Sequence, residues 1–85
     1  EVSVRALYEG VWTEGVFDAA SGRLTIASGE LAGQVFKSPS GAARAVVQLL
    51  NPDVFANRNG WLFWTVTHDG QPLATVRHDS DRNRR

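Results

Sequence analysis

The residues best able to do chemistry lie at a predicted helix start. Lys37, Ser38 and Ser40 place a cation and two hydroxyls beside backbone N–H groups that a helix leaves unpaired. Such a helix N-terminus can hold a phosphate or another anion. The alternative is that Ser38 only caps the helix and that no ligand binds there. Arg44, one turn further along, and Arg58 could extend this positive surface, although exposed arginines are usually only solvated.

Catalytic arrangements fail when they are tested against the sequence. The chain has no cysteine, which excludes thiol nucleophiles, disulfides and thiolate metal sites. Nothing resembles the G-x-S-x-G nucleophile elbow or a phosphate-binding loop. The pairs His68-Asp69 and His78-Asp79 are better explained by a turn and by solvation than by a metal site. We therefore expect a non-catalytic binding module without a cofactor, and not an enzyme.

Length and composition indicate one small domain. Of the 85 residues 42% are hydrophobic, and nine basic residues balance nine acidic ones. Zero net charge argues against binding nucleic acid mainly through phosphate contacts. No stretch approaches the ~20 apolar residues of a membrane span, so we expect no membrane partner, and the lack of cysteine fits a cytoplasmic location. Because the chain begins at Glu1 and not at Met, we expect it to be a module of a longer protein.

Alternating residues in the first half predict an antiparallel meander. Residues 2–8 and 11–18 alternate with a period of two and are joined by the turn sequence Glu9-Gly10. Shorter strands are expected at residues 23–27 and 35–36. These strands supply most of the predicted sheet.

The period then changes to that of a helix. Ser38 suits a cap and Pro39 the first helical position. From Ala43, apolar residues recur at i, i+3, i+4 and i+7, which gives one stripe for packing on the sheet. Asn51-Pro52 should end this helix, so the predicted bounds are residues 39–50.

The last part of the chain predicts the remaining strands. Residues 61–67 are rich in aromatic and β-branched side chains, and a further short strand is expected at residues 73–76 after the turn Asp69-Gly70. One helix covers one face of the sheet, so the other face either curls closed or presents aromatic side chains. The predicted fold is α+β, an antiparallel sheet of about five short strands with one helix packed on it. We expect residues 1–78 to form this single domain and residues 79–85 to form a disordered polar tail.

Two segments together resemble a known family. Residues 36–43, FKSPSGAA, resemble an F-x-S-P-S-x-A-A motif, and residues 59–64, NGWLFW, resemble N-G-W-x-F-W. In this order, with a strand meander before them and a helix between them, they are similar to the restriction enzyme–adenine methylase associated (RAMA) domain. That module is fused to DNA methyltransferases, nucleases and other restriction-system proteins. The resemblance covers residues 4–77.

The resemblance implies a module that recognises DNA, methylated or otherwise modified, for the catalytic domain of a parent protein. It implies that the serines of the helix start and the second motif form the recognition surface. With the neighbouring cations, the predicted DNA-binding residues are Lys37, Ser38, Ser40, Arg44, Arg58, Asn59, Gly60, Trp61 and Trp64. The stretch 51–58 is longer than the family pattern, so it could reshape or cover the pocket. The alternative is a protein-interaction or assembly module that uses an exposed aromatic face or a sheet edge, which neutral charge favours.

A first prediction follows from base stacking. If a flipped or unpaired base stacks on a tryptophan of the second motif, Trp64→Ala or Arg58→Ala should weaken DNA binding while the fold survives. Fluorescence anisotropy with matched oligonucleotides measures this effect. Unchanged binding in folded variants of both residues would mean that the surface is wrongly placed.

Overall fold

The structure, a computed structural model, describes residues 1–76 of the chain. Its strands are β1 (Val2–Tyr8), β2 (Val11–Phe17), β3 (Leu24–Ile26), β4 (Val35–Phe36) and β5 (Thr65–Val66). Its helices are α1 (Pro39–Leu50) and α2 (Gly60–Phe63), followed by a short helical turn at residues 74–76. The strands form one antiparallel sheet in the order β4-β3-β2-β1-β5. The predicted α+β class with about five short strands is therefore confirmed, although two further short helical segments accompany the single predicted helix.

The hairpin of β1 and β2 is the longest pairing in the sheet. Its register runs from Val2 opposite Phe17 to Tyr8 opposite Val11. Both turn residues, Glu9 and Gly10, have positive φ angles, 52° and 74°. Two successive positive φ angles match the right-handed twist of the flanking strands, which explains why this tight turn closes the hairpin.

Helix α1 packs its apolar stripe on the inner face of the sheet. Ala43, Val46 and Val47 are buried, and they belong to the stripe that the helical period predicted. Ser38 caps the helix, and Asn51 follows its last residue, so the predicted bounds are confirmed. On the sheet side the core consists of side chains that alternate along the strands, namely Val4, Ala6, Phe17, Leu24, Ile26 and Val66.

The strand predicted at residues 61–67 is wrong over most of its length. Residues 60–63 form α2, and only Thr65–Val66 pairs with β1. The aromatic residues favour a strand locally, but contacts with α1 override this weak preference. Residues 73–76 are not a strand either: an isolated bridge joins Thr65 to Pro72, and the chain then turns helical.

The polar tail predicted at residues 79–85 and the pair His78-Asp79 lie outside the described residues. The single domain predicted for residues 1–78 stays a prediction. Within residues 1–76, no helix has the length and apolar character that crossing a membrane requires.

The side chain of Asp18 organises the turn between β2 and β3. Its Oδ2 accepts the Ser21 hydroxyl at 2.9 Å, and its Oδ1 accepts the Ala20 N–H at 3.1 Å. The bond from Ser21, followed by that from Ala20, lowers the pKa of Asp18 below its ordinary value of 3.8.

This lowered pKa predicts a pH-dependent contribution of Asp18 to stability. The contribution is present above the unfolded-state pKa and is lost as the pH falls through the lower folded-state pKa. We expect Asp18→Asn to lower the thermal unfolding midpoint at neutral pH, and the difference from wild type to shrink below pH 3.8. Ser21→Ala, which removes the main cause of the shift, should behave in the same way. A difference that stays constant with pH would contradict this explanation.

Candidate nucleic-acid interface

The two motif segments meet in one tight contact, here called the α1–α2 junction and formed by Pro39, Ser40, Asn59, Gly60 and Trp64. The Gly60 N–H donates to Ser40 Oγ at 2.9 Å. Gly60 is buried so closely on the backbone of Pro39 and Ser40 that a Cβ atom there would overlap both residues. Only glycine fits this position, because the close approach of two backbones leaves no space for a side chain.

Trp64 completes the junction from inside the core. Its side chain is fully buried, with 0% exposure, and its indole Nε1–H donates to the Pro39 carbonyl at 3.0 Å. The Phe63 ring lies edge-on to it at 5.4 Å. A base therefore has no face of this ring to stack on, which corrects the predicted role of Trp64. Removal of the side chain should destabilise the core, so the expectation that Trp64→Ala leaves the fold intact is also corrected.

The polar groups at the start of α1 are largely engaged within the protein. Ser38 Oγ accepts the Gly41 N–H at 3.1 Å, and the Ser38 carbonyl accepts the Ala42 N–H at 3.2 Å. Ser40 Oγ accepts from Gly60 as described. Capping, the ordinary alternative to an anion site, thus accounts for Ser38, and Ser40 joins the two motifs.

Several predicted contact residues remain at the surface around the junction. Lys37 and Asn59 are exposed and directly precede the two joined segments. Arg44 is exposed one helical turn after Ser40, and residues four apart lie on the same helix face. Trp61 is half-buried, and its ring lies edge-on to that of Phe17, with 5.3 Å between the ring centres. The structure therefore gathers these four residues at or near the surface beside the α1–α2 junction.

The loop at residues 51–59 runs from the end of α1 back to the junction. Arg58 organises this loop, because its Nη1 donates to the carbonyls of Phe55 and Asn57. Ala56 is buried, whereas the Phe55 side chain is 78% exposed. Phe55 was not among the residues predicted from the sequence, although an aromatic side chain in a loop is a visible indication of a surface contact.

A second exposed apolar surface lies on the opposite face of the sheet. Leu7 and Trp12 are cross-strand partners, and both are more than half exposed. The Arg5 guanidinium lies 4.7 Å from the centre of the Trp12 ring. Trp12 also borders a groove of about 260 Å³ whose main apolar lining residues are Val11, Leu31, Val46, Leu49 and Leu50. The sequence left open whether this face curls closed or presents aromatic side chains, and the structure places the exposed Trp12 on it.

Binding of a metal ion requires several ligand side chains close together. No group of three or more His, Cys, Asp or Glu residues that could hold a metal ion occurs within residues 1–76. Asp69 Oδ1 accepts the Gln71 N–H at 3.0 Å, which is the turn chemistry predicted for His68-Asp69.

No protein-family model matches the chain, and no curated protein matches it. The resemblance of the two motifs to the RAMA domain therefore stays a prediction, and it depends on the residues alone.

The close packing at the junction predicts that replacement by alanine has very different effects on stability at two glycines. Gly60→Ala should lower the free energy of unfolding by about 2 kcal/mol or more, because a backbone must shift to admit the methyl group. Gly41→Ala is the matched control in the same region, since its Cβ would lie at an ordinary 3.4 Å from Ser38 Oγ. That variant should be neutral or stabilising by up to about 1 kcal/mol, as expected for alanine in a helix. Chemical denaturation measures both changes, and equal effects would contradict the proposed packing.

Proposed function

We propose that this chain is a non-catalytic, cytoplasmic module that recognises DNA, methylated or otherwise modified, for the catalytic domain of a larger restriction- or modification-type protein. The observation that carries the proposal is the α1–α2 junction, where the two motif segments meet and leave Lys37, Arg44, Asn59 and Trp61 at the surface. In this proposal the buried members of the motifs, including Trp64, support the surface and do not contact DNA.

The exposed side chains divide into two chemical groups. Lys37 and Arg44 are suited to phosphate contacts, and the amide of Asn59 can donate to a base edge. Phe55, on the loop that leads into the junction, has a largely exposed ring. A base taken out of its stack could lie on this ring. Arg58 positions that ring through its bond to the Phe55 carbonyl, so its part in binding would be indirect.

Zero net charge restricts how such a module would bind. Affinity gained by releasing counterions grows with the number of phosphates neutralised, and this chain has no excess of cations. The proposal therefore requires that most discrimination comes from local contacts with a base, and that the salt dependence is shallow.

The test is fluorescence anisotropy with matched duplexes that are unmodified, adenine-methylated or cytosine-modified, at several salt concentrations. We expect preferential binding to one modified duplex. Phe55→Ala should weaken binding by about 1–3 kcal/mol, the usual value of an aromatic–base stack. Lys37→Gln should reduce the slope of log K against log salt by about 1 without changing the preference.

Absence of binding to any duplex by the folded chain would reject the proposal. If wild type and Phe55→Ala bind DNA equally, the chain recognises DNA but Phe55 does not stack on a base.

Protein interaction is the second candidate function, and the Leu7–Trp12 surface favours it. An exposed pair of apolar side chains beside an apolar groove is typical of a contact with another protein or another copy of the chain. Sedimentation velocity without DNA tests self-association. A sedimentation coefficient that rises with concentration in wild type but not in Trp12→Gln would support this function over DNA recognition.

A further inference from the structure

Asn59 and Gly60 form a dipeptide that is chemically unstable in flexible chains. The Gly60 amide nitrogen can attack Asn59 Cγ, because glycine has no Cβ to hinder the approach. A bond forms between Gly60 N and Asn59 Cγ, the Cγ–Nδ2 bond breaks, and ammonia leaves with the proton that Gly60 loses. Water then opens the resulting five-membered succinimide at one of its carbonyls, which leaves either an aspartyl or an isoaspartyl residue at position 59.

The α1–α2 junction restrains both groups that react, the Gly60 N–H and the Asn59 side-chain amide. The attacking nitrogen must lose its proton, yet the Gly60 N–H donates to Ser40 Oγ at 2.9 Å. The carbonyl of the attacked amide is held as well, since Asn59 Oδ1 accepts the Trp61 N–H at 3.0 Å. Gly60 itself is buried against the Pro39 and Ser40 backbone, so its peptide plane cannot turn toward the Asn59 side chain.

We propose that Asn59 is a site of spontaneous deamidation in this protein, and that the Ser40–Gly60 hydrogen bond keeps the site unreactive while the junction is closed. Asn59 is exposed, so water reaches its side chain, and protection depends on geometry and not on burial. Deamidation then proceeds only from molecules in which the junction has opened, as hydrogen exchange does in locally opened segments.

The modification would also prevent the junction from closing again. An isoaspartyl residue adds one carbon to the backbone immediately before Gly60 and would shift Gly60, whose Cα packs so closely on Pro39 and Ser40 that even a methyl group has no space. This inference does not depend on the proposed DNA recognition, because it concerns only the chemistry and packing of the chain.

The test follows deamidation by mass spectrometry of proteolytic peptides after incubation at mildly alkaline pH. Wild type is compared in buffer and in a denaturing concentration of urea. We expect Asn59 to react more than about tenfold faster in urea than in the folded chain. Asn57 serves as an internal control, since the bulkier Arg58 follows it and slows attack in both states. Equal rates at Asn59 in the two conditions, or no reaction in urea, would overturn the proposal.

Two serine variants separate the hydrogen bond from general loosening of the helix start. Ser40→Ala removes the acceptor of the Gly60 N–H, and we expect about five- to tenfold faster deamidation of Asn59 in the folded chain. Ser38→Ala removes the α1 cap but leaves that acceptor in place, so its effect should be much smaller. Circular dichroism and urea titration establish that both variants are folded and how far each is destabilised. Equal acceleration in both variants at equal stability, or no acceleration in Ser40→Ala, would overturn the role of Ser40.

Discussion

The hydrogen bond from the buried Trp64 indole to the Pro39 carbonyl is the contact around which the second half of the chain is arranged. A buried indole N–H is costly unless it has a partner, and a carbonyl in the first turn of α1 provides one. This bond brings the segment after the loop onto the start of α1, where Gly60 packs on the Pro39 and Ser40 backbone. The same arrangement delivers Thr65–Val66 to the edge of the sheet beside β1.

This constraint divides the two motifs into an inner and an outer part. Ser38, Ser40, Gly60 and Trp64 are engaged in capping, bridging and core packing. Their presence in both segments is explained by the fold alone, without a ligand. Two of the outer residues also have structural roles, since Asn59 caps α2 and Trp61 packs on Phe17. The proposed recognition of DNA is assigned to the side chains that remain exposed around the junction, namely Lys37, Arg44, Phe55 and Asn59.

The sequence predicted local elements better than it predicted contacts between distant segments. The β1–β2 hairpin and α1 follow from short-range patterns, namely alternation around Glu9-Gly10 and a capped apolar stripe. The strand predicted at residues 61–67 was largely wrong. Their aromatic content favours a strand locally, but the structure depends on a contact of Gly60 with Ser40, twenty positions earlier in the chain. For the same reason, the sequence alone does not show which of Trp61 and Trp64 is buried. The exposure of Phe55 could not be predicted, because it depends on how the loop at residues 51–59 packs, with the neighbouring Ala56 buried.

Hydrogen exchange of the tryptophan indole protons tests the central role of the junction most directly. The three tryptophans give three indole N–H resonances, which single substitutions assign. We expect the Trp64 proton to exchange only through global unfolding, with a free energy equal to that from urea denaturation. The Trp12 proton, on a side chain that is 53% exposed, should exchange rapidly. A Trp64 proton that exchanges as fast as that of Trp12 in the folded protein would contradict this account.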